Sequence, residues 1–361
     1  MKIYTRAYLT ENLGDDLFIK ILIDRYKKHQ FYSISRGFKN YTKGNLKVYS
    51  NPILFDIIEE FKLEKYLSNK CDLAISIGGS MYMENEKYIK DYSFGKNKYY
   101  VLGSNFGPYK TQGYYNKVYD FFKNAEDVCF REEYSYNLFK DLPNVRYASD
   151  IVFNLDIKDV KNTNRKKAIF SIISCADKIG IQHQNDYENK IIELIKFLKE
   201  KQYEICLMSF CKWEKDEETI KSISKKCKEE GIEDIEHYYY RGKIEEALDV
   251  IGDSSIMIGS RFHANIIALL LGKPIIPVIY SEKTKNVLND MNLDVKIIDI
   301  KEIKDFDVAT LTDRDLNFKH DMSDAIKNAE KQFEKLDLVL NWSNYIKYFQ
   351  NTWKIFTIIV Q

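Results

Sequence analysis

Short apolar runs alternate with longer amphipathic runs along this chain, and that alternation limits the fold more than any other feature. Residues 2–9 are predicted to form a strand, and residues 15–28 a helix whose apolar side chains recur at helical spacing. Residues 71–77 are predicted to form a buried strand that ends at two glycines. Because neighbouring parallel strands need a crossover, usually a helix, the pattern predicts an α/β fold with parallel sheets.

The alternating pattern occurs twice, on either side of a polar stretch without periodicity at residues 156–167. The chain has 361 residues, which suggests two domains at roughly 150 residues each. We therefore predict an N-terminal Rossmann-like lobe over residues 1–158 and a C-terminal Rossmann-like lobe over residues 166–315, facing each other across a cleft. A C-terminal helical extension, residues 316–361, is expected to contain one long helix over residues 323–340.

Charge and composition exclude several classes of protein. The chain has 55 Lys and Arg against 54 Asp and Glu, so it lacks the basic surplus typical of nucleic-acid binders. It has no uncharged run near the roughly 20 residues needed to span a bilayer, and its start does not resemble a secretory signal, so we expect a cytoplasmic protein. The aromatic tail either packs on the first lobe or contacts a membrane surface. The cysteines are irregularly spaced, without a Cys-x-x-Cys pair, so no structural metal or disulfide framework is expected.

In parallel α/β sheets, ligands bind outside the carboxyl ends of the strands, so the loops at that edge are the first candidates for chemistry. After the first strand, Asn12 and Asp15 surround the turn at Gly14 and either cap a helix or reach the cleft to contact a sugar. After a later strand, Gly78 and Gly79 would let a ligand approach the backbone. The chain has neither G-x-G-x-x-G nor a P-loop motif, so a dinucleotide or nucleotide-triphosphate site has little support.

The segment from Met257 to Asn265 has the richest chemistry, because Arg261 and His263 lie where a buried strand meets a helix. Two cationic-capable side chains at a helix N-terminus are unfavourable without an anion, so we expect a bound anion there. Both reach one ligand only if the first helical turn is irregular. The alternative is an Arg salt bridge beside a hydrogen-bonded core histidine. Arg131 follows another strand, and the alternative for it is a surface ion pair with the glutamates beside it.

These segments, in this order and spacing, resemble the polysaccharide pyruvyltransferase family, whose members are similar to two-lobed GT-B glycosyltransferases and add pyruvate from phosphoenolpyruvate to sugars as a ketal. The resemblance runs from residue 12 to about residue 293. It is carried by Asn12-Leu13-Gly14-Asp15, Gly78-Gly79, Gly103-Ser104-Asn105-Phe106-Gly107-Pro108, Arg131-Glu132-Glu133-Tyr134-Ser135, Ser149-Asp150-Ile151-Val152-Phe153, Ser260-Arg261-Phe262-His263 and Gly272-Lys273-Pro274.

The resemblance implies a role for each matching residue. His263 would be the acid/base, and the donor would be bound by Arg261, Arg131, Lys283 and Ser260. The acceptor or the cleft would involve Asn12, Asp15, Gly78, Gly79, Asn105 and Asp150. Phosphoenolpyruvate would be the co-substrate, without metal or cofactor, and the acceptor would be a surface polysaccharide or its lipid-linked oligosaccharide precursor. The loop after Gly79 lacks a histidine that some members have in the first lobe, so the residue that assists there is open.

Two other functions fit the same fold. A nucleotide-sugar glycosyltransferase would release UDP rather than inorganic phosphate. A non-catalytic saccharide-binding homologue would bind sugar without consuming a donor, with tyrosine-rich runs such as residues 238–240 stacking on it. The sequence does not decide the acceptor sugar or the oligomeric state.

Overall fold

A computed structural model describes residues 1–35, 41–50, 60–84, 93–163, 165–176 and 178–341. Two sheets organise the chain. The strands of the first are β1 (Lys2–Arg6), β2 (Gln30–Ser35), β3 (Tyr41–Lys43), β4 (Leu46–Ser50), β5 (Leu73–Ile77), β6 (Tyr99–Ser104), β7 (Asp127–Phe130) and β8 (Val145–Tyr147). The strands of the second are β9 (Lys167–Ile172), β10 (Glu204–Ser209), β11 (Ile235–Tyr239), β12 (Ile256–Gly259), β13 (Ile275–Ile279) and β14 (Ile298–Asp299).

Both sheets have the strand order of doubly wound α/β folds. The first has the order β3-β4-β2-β1-β5-β6-β7-β8, and every neighbouring pair is parallel except β3 and β4. The second has the order β11-β10-β9-β12-β13-β14 and is parallel throughout. Central strands such as β5 and β9 are buried along their whole length, because helices cover both faces. The predicted fold class, two parallel α/β lobes, is confirmed.

Helices connect the strands. They are α1 (Leu13–Arg25), α2 (Glu60–Ser68), α3 (Gln112–Lys123), α4 (Glu133–Phe139), α5 (Gln184–Glu200), α6 (Asp216–Glu229), α7 (Ile244–Gly252), α8 (Phe262–Leu270), α9 (Glu282–Asp290), α10 (Asp313–Asn317), α11 (Ser323–Ala329) and α12 (Glu334–Leu340). No helix in the described ranges is long and apolar enough to cross a membrane. The sequence also predicts a short helix over residues 53–67; it begins outside the described residues, and its described part is α2.

The single long helix predicted over residues 323–340 is wrong. The chain forms α11, a 3₁₀ turn at Glu330–Phe333, and then α12. The turn carries Gln332, which is fully buried and bonds the backbone of the first lobe: its oxygen accepts from Gly103 N–H at 3.0 Å, and its amide donates to the Phe130 and Ala148 carbonyls. Those tertiary bonds override the helical pattern. Residues 342–361, with the aromatic tail, lie outside the described residues.

The two lobes are in direct contact. Leu13 N–H donates to the Phe210 carbonyl at 3.1 Å, and an antiparallel bridge joins Asn12 to Cys211. The Tyr240 hydroxyl donates to the Asp16 carboxylate at 2.5 Å. These bonds fix the start of α1 against the second lobe. The first sheet ends at β8 and the second begins at β9, while the domain limits at residues 158, 166 and 315 stay a prediction.

Candidate active site

The strand order reverses once in each sheet, and the candidate site lies between these two reversals. In the first sheet, β1 has β2 on one side and β5 on the other; in the second, β9 lies between β10 and β12. Such reversals leave a crevice at the carboxyl ends of the strands, where doubly wound folds bind ligands. The loops after β1 and β5 carry Asn12 and Gly79, and the loop after β12 carries Arg261.

Arg131, the residue after β7, is at the centre of the site and is only 6% exposed. Its Nη1 donates to the Asp150 carboxylate at 3.1 Å and lies 3.4 Å from His263 Nε2. Its Nη2 donates to Asn105 Oδ1 at 2.9 Å. The guanidinium carbon lies 4.3 Å from the centre of the Phe262 ring, in cation–π geometry. The expected alternative, a surface ion pair, is therefore wrong: Arg131 is a buried residue in contact with the second lobe.

Two buried nitrogens, one of Arg131 and one of the neighbouring Asn105, lack a hydrogen-bond acceptor. Within the described part of the chain, neither Arg131 Nε nor Asn105 Nδ2 has a hydrogen-bond partner, although both atoms are hidden from solvent. Leaving a buried donor unpaired costs about 1–3 kcal/mol, and native structures rarely do so without a reason. Both groups are donors, so the partner that would satisfy them is an acceptor such as an anion.

His263 lies in the first turn of α8 and faces Arg131 across the lobe boundary. Burial lowers its pKa to about 4; Asp150 opposes that shift, and Arg131 adds to it. The imidazole is therefore neutral at pH 7. Because Arg131 can only donate, His263 Nε2 accepts, and the proton of the neutral ring is on Nδ1. Phe18 packs edge-on against the ring, with centroids 5.1 Å apart.

Two glycines of the first lobe make room for these side chains. A Cβ on Gly14 would lie 2.0 Å from His263 Nδ1, and a Cβ on Gly79 would lie 2.5 Å from Arg131 Nη1. Any larger residue at either position would displace the imidazole or the guanidinium. Gly78 has φ of +146°, a conformation that favours glycine. The two adjacent glycines are predicted to let a ligand approach the backbone. In the structure, the Arg131 side chain makes such a close approach at Gly79.

Arg261 is buried against two carboxylates of its own lobe. It precedes α8 with extended backbone angles, so it is outside the regular helix. Its Nε donates to Asp216 at 3.2 Å, and its Nη groups pair with Asp216 and Glu214. Burial opposes its charge, yet Asp216 and Glu214 raise its pKa overall. Asp216, Glu214 and Asp150 supply protein carboxylates beside these side chains, so their charge is balanced without a ligand, and the bound anion stays a prediction. The salt bridge expected by the alternative reading is present, although two of the five guanidinium N–H groups are left unused by these bonds.

Glu214 links Arg261 to a lysine that the sequence analysis did not select. Lys178, in the loop after β9, pairs with Glu214, and Asn12 Nδ2 lies 3.5 Å from the same carboxylate. Burial opposes the charge on Glu214, but Arg261 and Lys178 lower its pKa to about 2. Asn12 also caps α1, its side chain accepting from Gly14 N–H at 3.1 Å. The helix-cap role of Asn12 is thus seen, whereas its expected contact with a sugar stays a prediction.

Lys283 approaches the site from the first turn of α9. Its Nζ lies 3.3 Å from the Ser80 hydroxyl of the first lobe. Burial lowers its pKa to about 7; Arg131 and Lys178 add to that shift, and Glu132 opposes it. A bound anion nearby would therefore stabilise the charged form of Lys283.

Ser260 is the candidate that the structure places least favourably for binding. It is 3% exposed, and its hydroxyl lies 2.9 Å from the hydroxyl of buried Tyr187. This contact anchors the end of β12 to α5. Ser260 therefore positions Arg261 rather than facing open space.

The residues that sequence reasoning missed are Glu214, Asp216 and Lys178. All three follow the carboxyl ends of β9 and β10, the same edge that was searched elsewhere. For Glu214 and Asp216, the signal in the sequence is an acidic pair at the junction of a buried strand and a helix, a pattern that is also typical of a helix N-terminus.

A family model described as polysaccharide pyruvyl transferase matches residues 12–282. The matched range contains every candidate residue except Lys283, which follows it directly. Among curated proteins, no match was found.

Solved structures similar to this chain share its two-lobed fold at low sequence identity. UDP-GlcNAc 2-epimerase from Methanocaldococcus jannaschii, solved with UDP-GlcNAc and UDP, has a TM-score of 0.61 at 10% identity, covering 95% of this chain and 100% of its own. Another UDP-N-acetylglucosamine 2-epimerase has a TM-score of 0.56 at 8% identity, covering 94% and 96%. Anabaena HepE in complex with UDP and glucose has a TM-score of 0.52 at 11% identity, covering 97% and 100%. At such identities the likeness concerns the fold alone.

Proposed function

The chain belongs to the polysaccharide pyruvyl transferase family, and on that premise we propose that it transfers pyruvate from phosphoenolpyruvate to a saccharide as a ketal. The acceptor is proposed to be a sugar of a surface polysaccharide or of its lipid-linked precursor. The observation that carries the choice of donor is the pair of buried nitrogens, Arg131 Nε and Asn105 Nδ2, that have no acceptor within the described residues. A small anion rich in oxygen supplies acceptors at that place.

Phosphoenolpyruvate fits the charges of the site. It has a carboxylate and a phosphate, so it needs several fixed cations, and Arg binds both groups through a planar fork. Arg131 and Arg261 each keep unused N–H groups, and Lys283 and Lys178 add ammonium groups nearby. These four cations are proposed to bind the carboxylate and the phosphate. The bound anion would raise the pKa of Lys283 and so keep its amine protonated.

The reaction forms two C–O bonds at C2 and breaks one. A proton adds to the methylene carbon, C2 becomes electrophilic, two hydroxyl oxygens of the sugar attack it, and phosphate leaves. His263 is neutral in the free protein, since burial lowers its pKa to about 4. A neutral imidazole is a base, so His263 is assigned the role of taking a proton from an attacking hydroxyl at Nε2. The 3.4 Å contact of Nε2 with Arg131 opens in this scheme when the donor anion binds Arg131. The product is a pyruvate ketal, with inorganic phosphate released.

The test offers the purified protein two donors and a panel of saccharide acceptors, including lipid-linked ones. Phosphoenolpyruvate with release of inorganic phosphate, and a product that contains a new quaternary ketal carbon by NMR, is the expected result. Release of UDP from UDP-sugars would instead favour a glycosyltransferase. Saccharide binding without consumption of either donor would favour a non-catalytic homologue.

A matched pair of variants connects the activity to the site. Arg131→Lys keeps a positive charge but cannot reproduce the bonds to both Asp150 and Asn105, so phosphoenolpyruvate binding is expected to weaken by about 10-fold or more, the equivalent of one charge-assisted bond. Arg165→Lys is the control, because Arg165 is half exposed and pairs with Glu204 away from the cleft. Equal binding by both variants would contradict the assigned site.

A further inference from the structure

The proposed reaction needs a proton donor as well as a base, and His263 does not supply the first proton. Its imidazole is neutral near pH 7, because burial lowers its pKa to about 4, so the ring has no imidazolium proton to give. An acid must therefore lie elsewhere in the cleft, within reach of the same substrate. The carboxyl groups around the site are the natural candidates, because a carboxylic acid held in protonated form can donate to carbon.

Most of these carboxyl groups are already engaged. Asp150 accepts from Arg131, and Asp216 and Glu214 pair with Arg261. Glu132 is only 2% exposed; its Oε1 accepts from the Ser135 backbone N–H at 3.0 Å, and its Oε2, without a partner in the described part of the chain, is hidden from solvent. Groups held in this way keep their partners in place and are poorly placed to exchange protons with a ligand.

Asp15 differs from all of them. It is partly exposed, and its carboxyl makes no hydrogen bond or ion pair with any other side chain in the described part of the chain. It lies in the first turn of α1, next to Gly14, whose Cα packs directly against the His263 ring. Its neighbour Asp16, by contrast, is held by the Tyr240 hydroxyl of the second lobe. Asp15 is therefore an unengaged carboxyl within electrostatic range of Arg131 in the first lobe and of Arg261 and Glu214 in the second.

We propose that Asp15 is the acid that protonates the methylene carbon of phosphoenolpyruvate, acting opposite His263 as the base. This inference rests on the proposed function and assigns a catalytic residue to it. The notion that one histidine performs both proton transfers is replaced by two groups on two lobes.

The electrostatic surroundings of Asp15 favour its protonated form. Burial raises its pKa to about 7, with Glu214 and Asp16 adding to the shift and Arg131 and Arg261 opposing it. The Tyr8 phenol is also within its electrostatic reach. A substantial fraction of Asp15 is thus a neutral acid at pH 7, where an ordinary Asp would be ionised. Bound phosphoenolpyruvate, as a further anion, would raise that fraction.

The proton balance closes over one turnover. Asp15 gives its proton to the methylene carbon, and the C2–C3 double bond becomes the methyl C–H bond. The first sugar hydroxyl attacks C2 and loses its proton to His263, which passes it to the departing phosphate as the C2–O bond breaks. The second hydroxyl attacks C2 and returns a proton to the Asp15 carboxylate. Both residues finish in the forms in which they began, and the products are the ketal and hydrogen phosphate.

Two aspartates of α1 give a matched pair of variants. Asp15→Asn is expected to lower the transfer rate by about 100-fold or more, the usual contribution of a general acid, while binding phosphoenolpyruvate at least as well as the wild type. Asp24→Asn, which removes the same charge from an exposed position near the end of α1, where Asp24 pairs with Lys20, is expected to stay within about 3-fold of the wild type. Asp15→Glu keeps the acid and is expected to regain part of the lost rate.

Two readouts separate a catalytic from a structural role. Calorimetric titration with phosphoenolpyruvate measures binding, and transfer in D₂O measures deuterium in the ketal methyl group. In a Lys283→Arg background, which removes the lysine titration, kcat is expected to fall as pH rises through the pKa of Asp15, and Asp15→Asn is expected to abolish that pH dependence.

If the wild type consumes phosphoenolpyruvate and Asp15→Asn transfers at the wild-type rate, the assignment of Asp15 is overturned and the function stands. If the wild type neither binds nor consumes phosphoenolpyruvate, the proposed function itself fails. Should Asp15→Asn not fold, Asp15→Ser takes its place, and transfer by Asp15→Ser at the wild-type rate would overturn the assignment.

Discussion

Arg131 Nη1 lies 3.4 Å from His263 Nε2, although the two residues are 132 positions apart and belong to different sheets. The contact exists only because the two lobes meet, and Asp150 steadies it by accepting from Arg131 and lying 3.8 Å from the imidazole. Arg261, two residues before His263, faces Asp216 and Glu214 instead. Arg261 and His263, at the start of α8, thus have different protein partners. Asp15 interacts electrostatically with both Arg131 and Arg261.

Gly14→Ala is expected to abolish transfer while leaving the protein folded. Its Cβ would lie 2.0 Å from His263 Nδ1, so the imidazole must move away from Arg131. Gly113→Ala is the matched control, because that glycine also lies in a helix and a Cβ there meets nothing within 4 Å. Steady-state rates and circular dichroism of the two variants check the prediction. Equal rates would show that the position of the imidazole does not matter.

Acid is expected to destabilise the protein partly through His263. The folded-state pKa of His263 is lowered to about 4 from an ordinary 6.5, so the unfolded chain binds a proton that the folded chain refuses. The stability that depends on the neutral ring is complete above pH 6.5 and is lost as pH falls toward 4, by about 3 kcal/mol at most. Urea unfolding at pH 7 and pH 5 is the measurement. His263→Gln should lose less stability over this range than the wild type; an equal loss would contradict the buried neutral histidine.

Donor binding is expected to weaken at alkaline pH because Lys283 loses its proton. Its pKa is lowered to about 7 in the free protein, and only the ammonium form attracts phosphoenolpyruvate. The dissociation constant, measured by calorimetry from pH 6 to pH 9, should therefore rise above about pH 7 by up to 10-fold per pH unit. Lys283→Arg should reduce this rise while retaining affinity, since arginine does not titrate in that range, and the part that remains is expected from ionisation of Asp15. A rise of the same size in Lys283→Arg would assign the titration to another group.

Gln332→Leu is expected to lower the free energy of unfolding by about 2–4 kcal/mol, because it strands a buried N–H and several carbonyls of the first lobe. Lys335→Ala, at an exposed position of α12, should change it by less than about 0.5 kcal/mol. Urea denaturation of both variants checks the result. If Gln332→Leu left the free energy of unfolding unchanged, the C-terminal extension would not be an integral part of the first lobe.

The fold could be predicted because it depends on patterns that are local in the sequence. Buried strands such as β5 and β9 are continuous apolar runs, and α1 has a recognisable cap at Asn12. The break between α11 and α12 could not be predicted, because it arises from bonds between Gln332 and backbone groups about 200 residues away. The short edge strand β3 could not be predicted for a related reason. Its three residues form a strand because they pair with β4, not because of a pattern of their own.

The site could be predicted as a set of residues but not as a set of partners. The rule that ligands lie at the carboxyl ends of strands selects Arg131, His263 and Asp15. The structure brings Arg131 and His263 into contact, while the functional roles of all three residues stay predictions. It could not show that Arg261 is neutralised by Asp216, because charge pairing across loops depends on three-dimensional distance. The neutral state of His263 likewise depends on burial, which a motif does not reveal.

A crystal structure of the protein with phosphoenolpyruvate bound is the most direct test of the central claim. The account predicts the ligand in the cleft between the lobes, with its oxygens accepting from Arg131 and Asn105 and its methylene carbon facing Asp15. Phosphoenolpyruvate bound away from Arg131, or a cleft that stays empty at saturating ligand while the protein is active, would contradict it.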